Sequence, residues 1–336
     1  MSARVQGLIL GLGKAKQVDI ATASASFLRF KKIDTTLTSP HAVTENDAAE
    51  IGKGNEFISA VYPVSYDVAN RIEKYASAEF VSWAWAYALG NPTQSGNSPN
   101  YTLTVVPIDS GTTLELPYFS VIEQVPEGGG SAIDNLYLGC AIEDVTYQFS
   151  YGPGRASSKC LVNWVGSGKL TTPSGIVVPA LQTEKHMLAQ SMALTINGVD
   201  YVSNKRILSG SIAWKNNLML SAGFFPGSGL QNGYATRGRL EIGSRVPSLT
   251  FTVRLVSGSD EYTKLVAQTT GTAVLTVSYD ANNSAQWTWQ QISYQVVENT
   301  EADGIVAVTV TVAPQYNATN GILTFVGKCG ITGIAQ

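Results

Sequence analysis

FISAVYPVSYDVANRIEKYASAEFVSWAWAYALG, residues 57–90, changes its hydrophobic period once, and that change decides the fold. Ile58, Ala60, Tyr62, Val64, Tyr66, Val68 and Ile72 fall on even positions, while Ser59, Ser65, Asp67 and Arg71 occupy odd ones. A period of two over so long a run predicts a half-buried strand. Pro63 lies on the odd face and removes one backbone donor, which fits an edge or a bulge. After Ser77, a good N-cap, the period becomes helical. Glu79 suits the first turn, and Phe80, Trp83, Ala84, Tyr87 and Ala88 recur at three- and four-residue steps. Gly90 and Asn91-Pro92 end the helix. With large aromatics on one face, it must lie on a sheet.

Residues 245–268 repeat the unit. Leu249, Phe251, Val253 and Leu255 alternate with Thr250, Thr252 and Arg254. Ser257-Gly258-Ser259 offer caps, Asp260 and Glu261 suit a helix N-terminus, and Tyr262, Leu265 and Val266 supply its buried side. A strand follows each helix, Tyr101–Val106 in the first copy and Ala273–Tyr279 in the second. A strand pair closes each copy: Gly139–Phe149 with Ser157–Val165, and Trp287–Val297 with Ile305–Val312. The shared order of strand, helix, strand and hairpin predicts an internal duplication, with longer loops in the first copy.

Composition narrows the function. The 22 Lys and Arg against 25 Asp and Glu form no basic block, a poor footprint for gripping phosphates. Abundant Gly, Thr, Ser, Val and Tyr favour β structure. No segment reaches the apolar length of a membrane helix, and Val5–Leu12 is too short and lacks the flanks of a secretory signal. Cys140, Cys160 and Cys329, odd in number and widely spaced, read as free thiols made in a reducing cytosol. Counting back from the turn at residues 152–154 sets Cys140 near Gly166 and Cys160 near Thr146, so the two are not expected to be neighbours. LTTPSGIVVPA, residues 170–180, reads as the boundary between two domains. Ala193–Ile196, Asn197-Gly198 and Val199–Val202 then predict a hairpin.

Catalytic chemistry is not expected. His41 and His186 lie in separate halves, with no ligand cluster or nucleophile–base pair around either. Gly13-Lys14 fails as a phosphate loop, because Leu8 stands where the first glycine belongs and Ala15 where Ser or Thr belongs. The reading is therefore a non-enzyme with no metal and no cofactor. Trp83 belongs to the buried helix face. Trp287 and Trp289 share one strand face, where core or interface packing is the default and a sugar platform the alternative. TENDAAEIGKGNEF carries Glu45, Asp47, Glu50 and Glu56: a solvated loop, an acidic loop projecting into a shared channel or, third, a glycosidase-like acid pair without an evident aromatic cleft.

SASFLRFKKIDTTL (24–37), EIGKGNEF (50–57) and EKYASAEFVSWAWAYALG (73–90) together resemble the tail tube proteins of tailed bacteriophages. LYLGCAIEDVTYQFSYGPGRASSKCLVNWVGSGK (136–169) resembles the closing hairpin of that family's first domain. TFTVRLVSGSDEYTKLVAQTTGTAVLTVSYD (250–280) and DGIVAVTVTVAPQYNATNGILTFVG (303–327) resemble its second domain. The resemblance implies two tandem β-sandwich or barrel-like domains, residues 1–172 and 173–336, each with a short flanking helix. It implies a major tail tube subunit of the virion, made in the host bacterial cytoplasm. Copies would form stacked rings, trimeric and pseudo-hexameric or hexameric, around a channel that is usually acidic. Partners would be the tape-measure protein, the tail terminator and baseplate proteins. Genomic DNA would pass without specific binding, and no membrane is involved. Glu45, Asp47, Glu50 and Glu56 become candidates for the lumen or for contacts between rings. The alternatives are a tail terminator, a baseplate ring or a capsid decoration protein, and then a carbohydrate-binding β-sandwich module.

Overall fold

The computed structural model describes residues 8–31, 34–46, 61–108, 115–127, 130–151, 158–204, 206–302, 304–319 and 321–336. The protein is mainly β. In the first half the strands are β1 (Ile9–Gly13), β2 (Phe27–Leu28), β3 (His41–Asn46), β4 (Val61–Tyr75), β5 (Pro92–Asn97), β6 (Asn100–Val105), β7 (Phe119–Glu127), β8 (Gly130–Ser150), β9 (Ser158–Gly166) and β10 (Leu170–Thr171), with helix α1 at Ala78–Leu89. In the second half they are β11 (Met192–Ile196), β12 (Val199–Asp200), β13 (Ile207–Lys215), β14 (Leu230–Gln231), β15 (Tyr234–Ala235), β16 (Val246–Arg254), β17 (Thr270–Asp280), β18 (Asn283–Ala302), β19 (Ile305–Pro314) and β20 (Leu323–Cys329), with helix α2 at Glu261–Val266.

The switch of period at Ser77 is real. Ser77 Oγ accepts the Phe80 amide at 3.3 Å, and Gly90 closes the helix at φ 73°, a backbone conformation that favours glycine. Val68 and Ile72 are fully buried as the alternation requires, but Tyr62 and Val64 are 54% and 41% exposed. There β4 pairs with β3 rather than β9, and the hairpin stands clear of the core. The expected positions Ile58 and Ala60 lie outside the described residues. All twelve residues of α1 are buried, not one face alone. The helix contacts β8 and β9 from its own half, and β18 and β20 from the other. A helix that is apolar all round belongs in such a slot.

The two halves pair their strands in the same order. β4 pairs with β9, and β9 with β8; in the second half β16 pairs with β19, and β19 with β18. The register shifts between Ile142 and Asp144 in β8 and between Tyr294 and Val296 in β18, the same place in each unit. The N-terminal parts of β8 and β18 pair instead with β7 and β17, which pair in turn with β1 and β11. One assignment is corrected: the counterpart of β17 is β7, not the strand at Tyr101–Val106. That strand, β6, belongs to an inserted hairpin with β5 and pairs with β20. The 197–198 turn is as expected, with Asn197 at φ 50° and Gly198 at φ 79° between β11 and β12.

Helix α2 differs from its expected orientation. Tyr262 is 45% and Val266 84% exposed, while Glu261 is buried. Its carboxylate accepts from Arg206 at 2.5 Å and from Tyr201 at 3.2 Å, so an ion pair turns the helix. One apolar core runs through both halves, and Trp287 meets Trp85 and Tyr147 at ring-centroid distances of 5.5 and 4.8 Å.

Candidate assembly surface: one sheet, one polar face and two edges

Strand β13 joins the two copies. It pairs with β16 along one side and with β8 along the other, from Ser209↔Ser150 to Lys215↔Asp144. The order β4–β9–β8–β13–β16–β19–β18 is therefore one antiparallel sheet spanning both halves.

Alternation gives this sheet two unlike faces. One carries Ile72, Val162, Tyr147, Ile212, Phe251, Val310 and Val297 into the core. The other carries registered rows such as Lys159–Gln148–Ser211–Thr250–Thr311 and Ser150–Ser209–Thr252–Thr309–Glu298. Hydroxyls and amides dominate it. Thr250 and Thr311 hydroxyls lie 3.2 Å apart, as do Thr252 and Thr309, and Asn163 donates to Asp144 at 2.8 Å. Glu73 accepts from Lys159 at 2.5 Å and from Arg71 at 2.9 Å; the Lys159 hydrogen bond comes first in holding its carboxyl below the ordinary value. The described charges on this face balance, with Arg71, Lys159, Lys215 and Arg254 against Asp34, Glu73, Asp144 and Glu298.

The sheet ends at two edges. At one, the C-terminal part of β4 is flanked by a short segment in which Asp34 and Glu73 exchange both backbone hydrogen bonds at 2.8 Å. At the other, β18 from Val296 to Ala302 pairs with β19 alone among the described strands. An open edge is a ready template for another strand.

Of the four acidic candidates, Glu45 sits exposed in β3, opposite Tyr62 of β4. Asp47, Glu50 and Glu56 lie outside the described residues. All six tryptophans are at most 1% exposed, which leaves no indole for a sugar platform. Gly11 and Gly13 lie within β1, not in a loop. The histidines stay apart, one opening β3 and the other bridged to Ser77, and no group of metal ligands occurs among the described residues. Cys140, Cys160 and Cys329 are buried and free. Cys160 lies opposite Tyr147, one place from the expected Thr146, on the turn side of the register shift between Ile142 and Asp144. No helix among the described residues is long and apolar enough to cross a membrane.

Two buried carboxylates, Glu79 and Glu123, and the half-buried Glu143 were not anticipated. Glu79 accepts the Lys185 amide at 3.0 Å, Glu123 the Thr38 amide at 2.9 Å and Glu143 the Leu218 amide at 3.1 Å. Burial pushes each above its ordinary value of 4.5, against these hydrogen bonds. Just above that value the native state holds more protons than the unfolded chain, so their contribution to stability falls as pH rises through the window. Glu123→Gln keeps an acceptor and removes the titration. It is expected to flatten the decline in urea midpoint above pH 4.5, and an unchanged slope would count against the assignment.

The surface thus combines a repeated strand order, one wet sheet face and exposed strand edges. A search of the curated proteins found no match. The family model described as phage tail tube protein matches residues 10–313. With nearly all of its length matched, the chain belongs to the phage tail tube protein family and is a structural component of a phage tail.

Proposed function

We propose that this protein is the major tail tube subunit, whose copies join edge to edge into rings that stack into the DNA-conducting channel. The observation that carries this is the seven-strand sheet, which crosses both halves through β13 and still has an edge to offer at each end. The hydroxyl-rich face lines the lumen: balanced charge on a Thr- and Ser-rich surface gives a phosphate backbone little to grip. Two tube-like domains, residues 1–172 and 173–336, give six repeats in a ring of three chains or twelve in a ring of six. The protein is a virion component that encloses the tape-measure protein and meets the terminator and baseplate proteins at the tube ends. No catalysis is assigned to it.

Negative-stain microscopy of the concentrated protein tests this. Long hollow tubes are the expected result. Isolated rings or head-bound knobs would favour a terminator, baseplate ring or decoration protein.

Glu45, Asp47, Glu50 and Glu56 are proposed to face the lumen or the next ring. With all four changed to Lys, purified tubes are expected to form and DNA passage to slow. Normal infection by a phage carrying the four changes would reject the lumen placement.

A further inference from the structure

The repeated strand order supplies a template for the joint between chains. In the first copy, the free side of the β8 segment after the bulge is covered by β13. In the second copy the equivalent segment of β18 carries no such strand among the described residues. Its exposed residues include Glu298, Asn299 and Glu301.

The missing strand has a counterpart at the other end of the sheet. Ser209 of β13 pairs with Thr252 of β16, and Asp34 pairs with Glu73 of β4. Glu73 lies opposite Leu161, which faces Thr146; Thr252 lies opposite Thr309, which faces Glu298. Thr146 and Glu298 both stand two residues beyond the bulge, so Glu73 and Thr252 are equivalent, and Asp34 stands where Ser209 stands. Thr36 then corresponds to Ser211, and Thr300 to Gln148, the residue that Ser211 faces across the internal joint.

We infer that the β18 edge from Val296 to Ala302 receives the segment from Asp34 to Leu37 of a second copy of this chain, antiparallel, with Thr36 opposite Thr300. This rests on the ring reading above and adds to it which edges meet and in what register. The hydrogen-bond phase agrees. Asp34 spends its amide and carbonyl on Glu73, so in extended chain those of Thr35 and Leu37 point away from β4. They meet Glu301 and Asn299 in the inferred register. The helices do not obstruct the joint, since α1 and α2 pack against the β8–β9 and β18 parts of their own units, and the β8–β13 joint forms with α1 in place.

Thr36 and Thr300 form a non-hydrogen-bonded pair, whose Cα atoms lie about 4.5 Å apart in antiparallel sheets, within disulfide reach. They sit at opposite ends of the sheet within one chain, so a bond between them joins two chains. The test is Thr36→Cys with Thr300→Cys in the full-length protein, oxidised at tube-forming concentration beside each single variant. The three native thiols are buried. Tubes with a reductant-sensitive ladder beyond dimer, absent from the single variants, are expected. Tubes that run as monomers on a non-reducing gel would overturn the inferred joint and leave the ring reading standing. A double variant that is folded but forms neither tubes nor ladder, like a wild type that forms no tubes, would sink both. Asn299→Pro gives a second readout, removing the amide that faces Leu37 at an edge where proline is tolerated. Its near-ultraviolet circular dichroism should match the wild type while tube growth is lost. Tubes that grow as in the wild type would again overturn the joint.

Discussion

Trp287→Ala is expected to lower stability by about 3–5 kcal/mol, the cost of emptying a large aromatic site in a close-packed core. Trp287 is fully buried and meets Trp85 of α1, Tyr147 of β8 and Phe325 of β20, so the cavity would open where both halves pack. Its indole N–H has no hydrogen-bond partner among the described residues, so no polar bond is lost with it. Trp287→Phe should therefore cost clearly less than alanine. Urea unfolding at constant slope measures both, and a midpoint unmoved by alanine would contradict a shared core.

Glu184→Ala is the second large effect, expected to cost about 3–5 kcal/mol at neutral pH because it strands a buried charge. Lys74 and Glu184 side chains are at most 1% exposed and pair directly; Lys74 also donates to the Lys31 carbonyl at 2.6 Å, and Glu184 accepts the Lys31 amide at 2.5 Å. Burial pushes the Lys74 ammonium below its ordinary value, and Glu184 opposes that shift. Without Glu184 the depression deepens. Between the lowered native value and the ordinary 10.5 the unfolded chain then holds more protons, so the variant gains stability as pH rises. Its deficit against wild type should shrink from pH 7 towards pH 10 in urea midpoints. A constant deficit would mean that Lys74 does not carry the stranded charge.

The local half of this fold was legible because period and capping are local. Alternation at Val68 and Ile72, the Ser77 cap, the 197–198 turn and the closing hairpins all stand near their expected positions. What stayed hidden was set by partners distant in sequence. Tyr62 and Val64 read as core, yet their part of β4 leaves the core with β3. Tyr262 and Val266 read as a buried face, but Arg206 draws Glu261 inward instead. Lys74 occupies an apolar position of the alternation, and only Glu184, 110 residues away, explains it. The polar face was legible in part, from Thr250 and Thr252 alternating with Leu249, Phe251 and Val253. The edges were not, because β13 shows its role only once its two neighbours are known. Glu45 alone of the acidic candidates can be placed, and its exposure on β3 is compatible with any solvent-facing role.

The β13 junction has a consequence for how such a wall is built. Every second seam is sealed when the chain folds, before two molecules meet. The loss of translational and rotational freedom, about 4–15 kcal/mol per association, then falls on half as many seams as a one-repeat protein would face. A circle closed from these chains holds an even number of repeats, and one absent molecule leaves a gap two repeats wide.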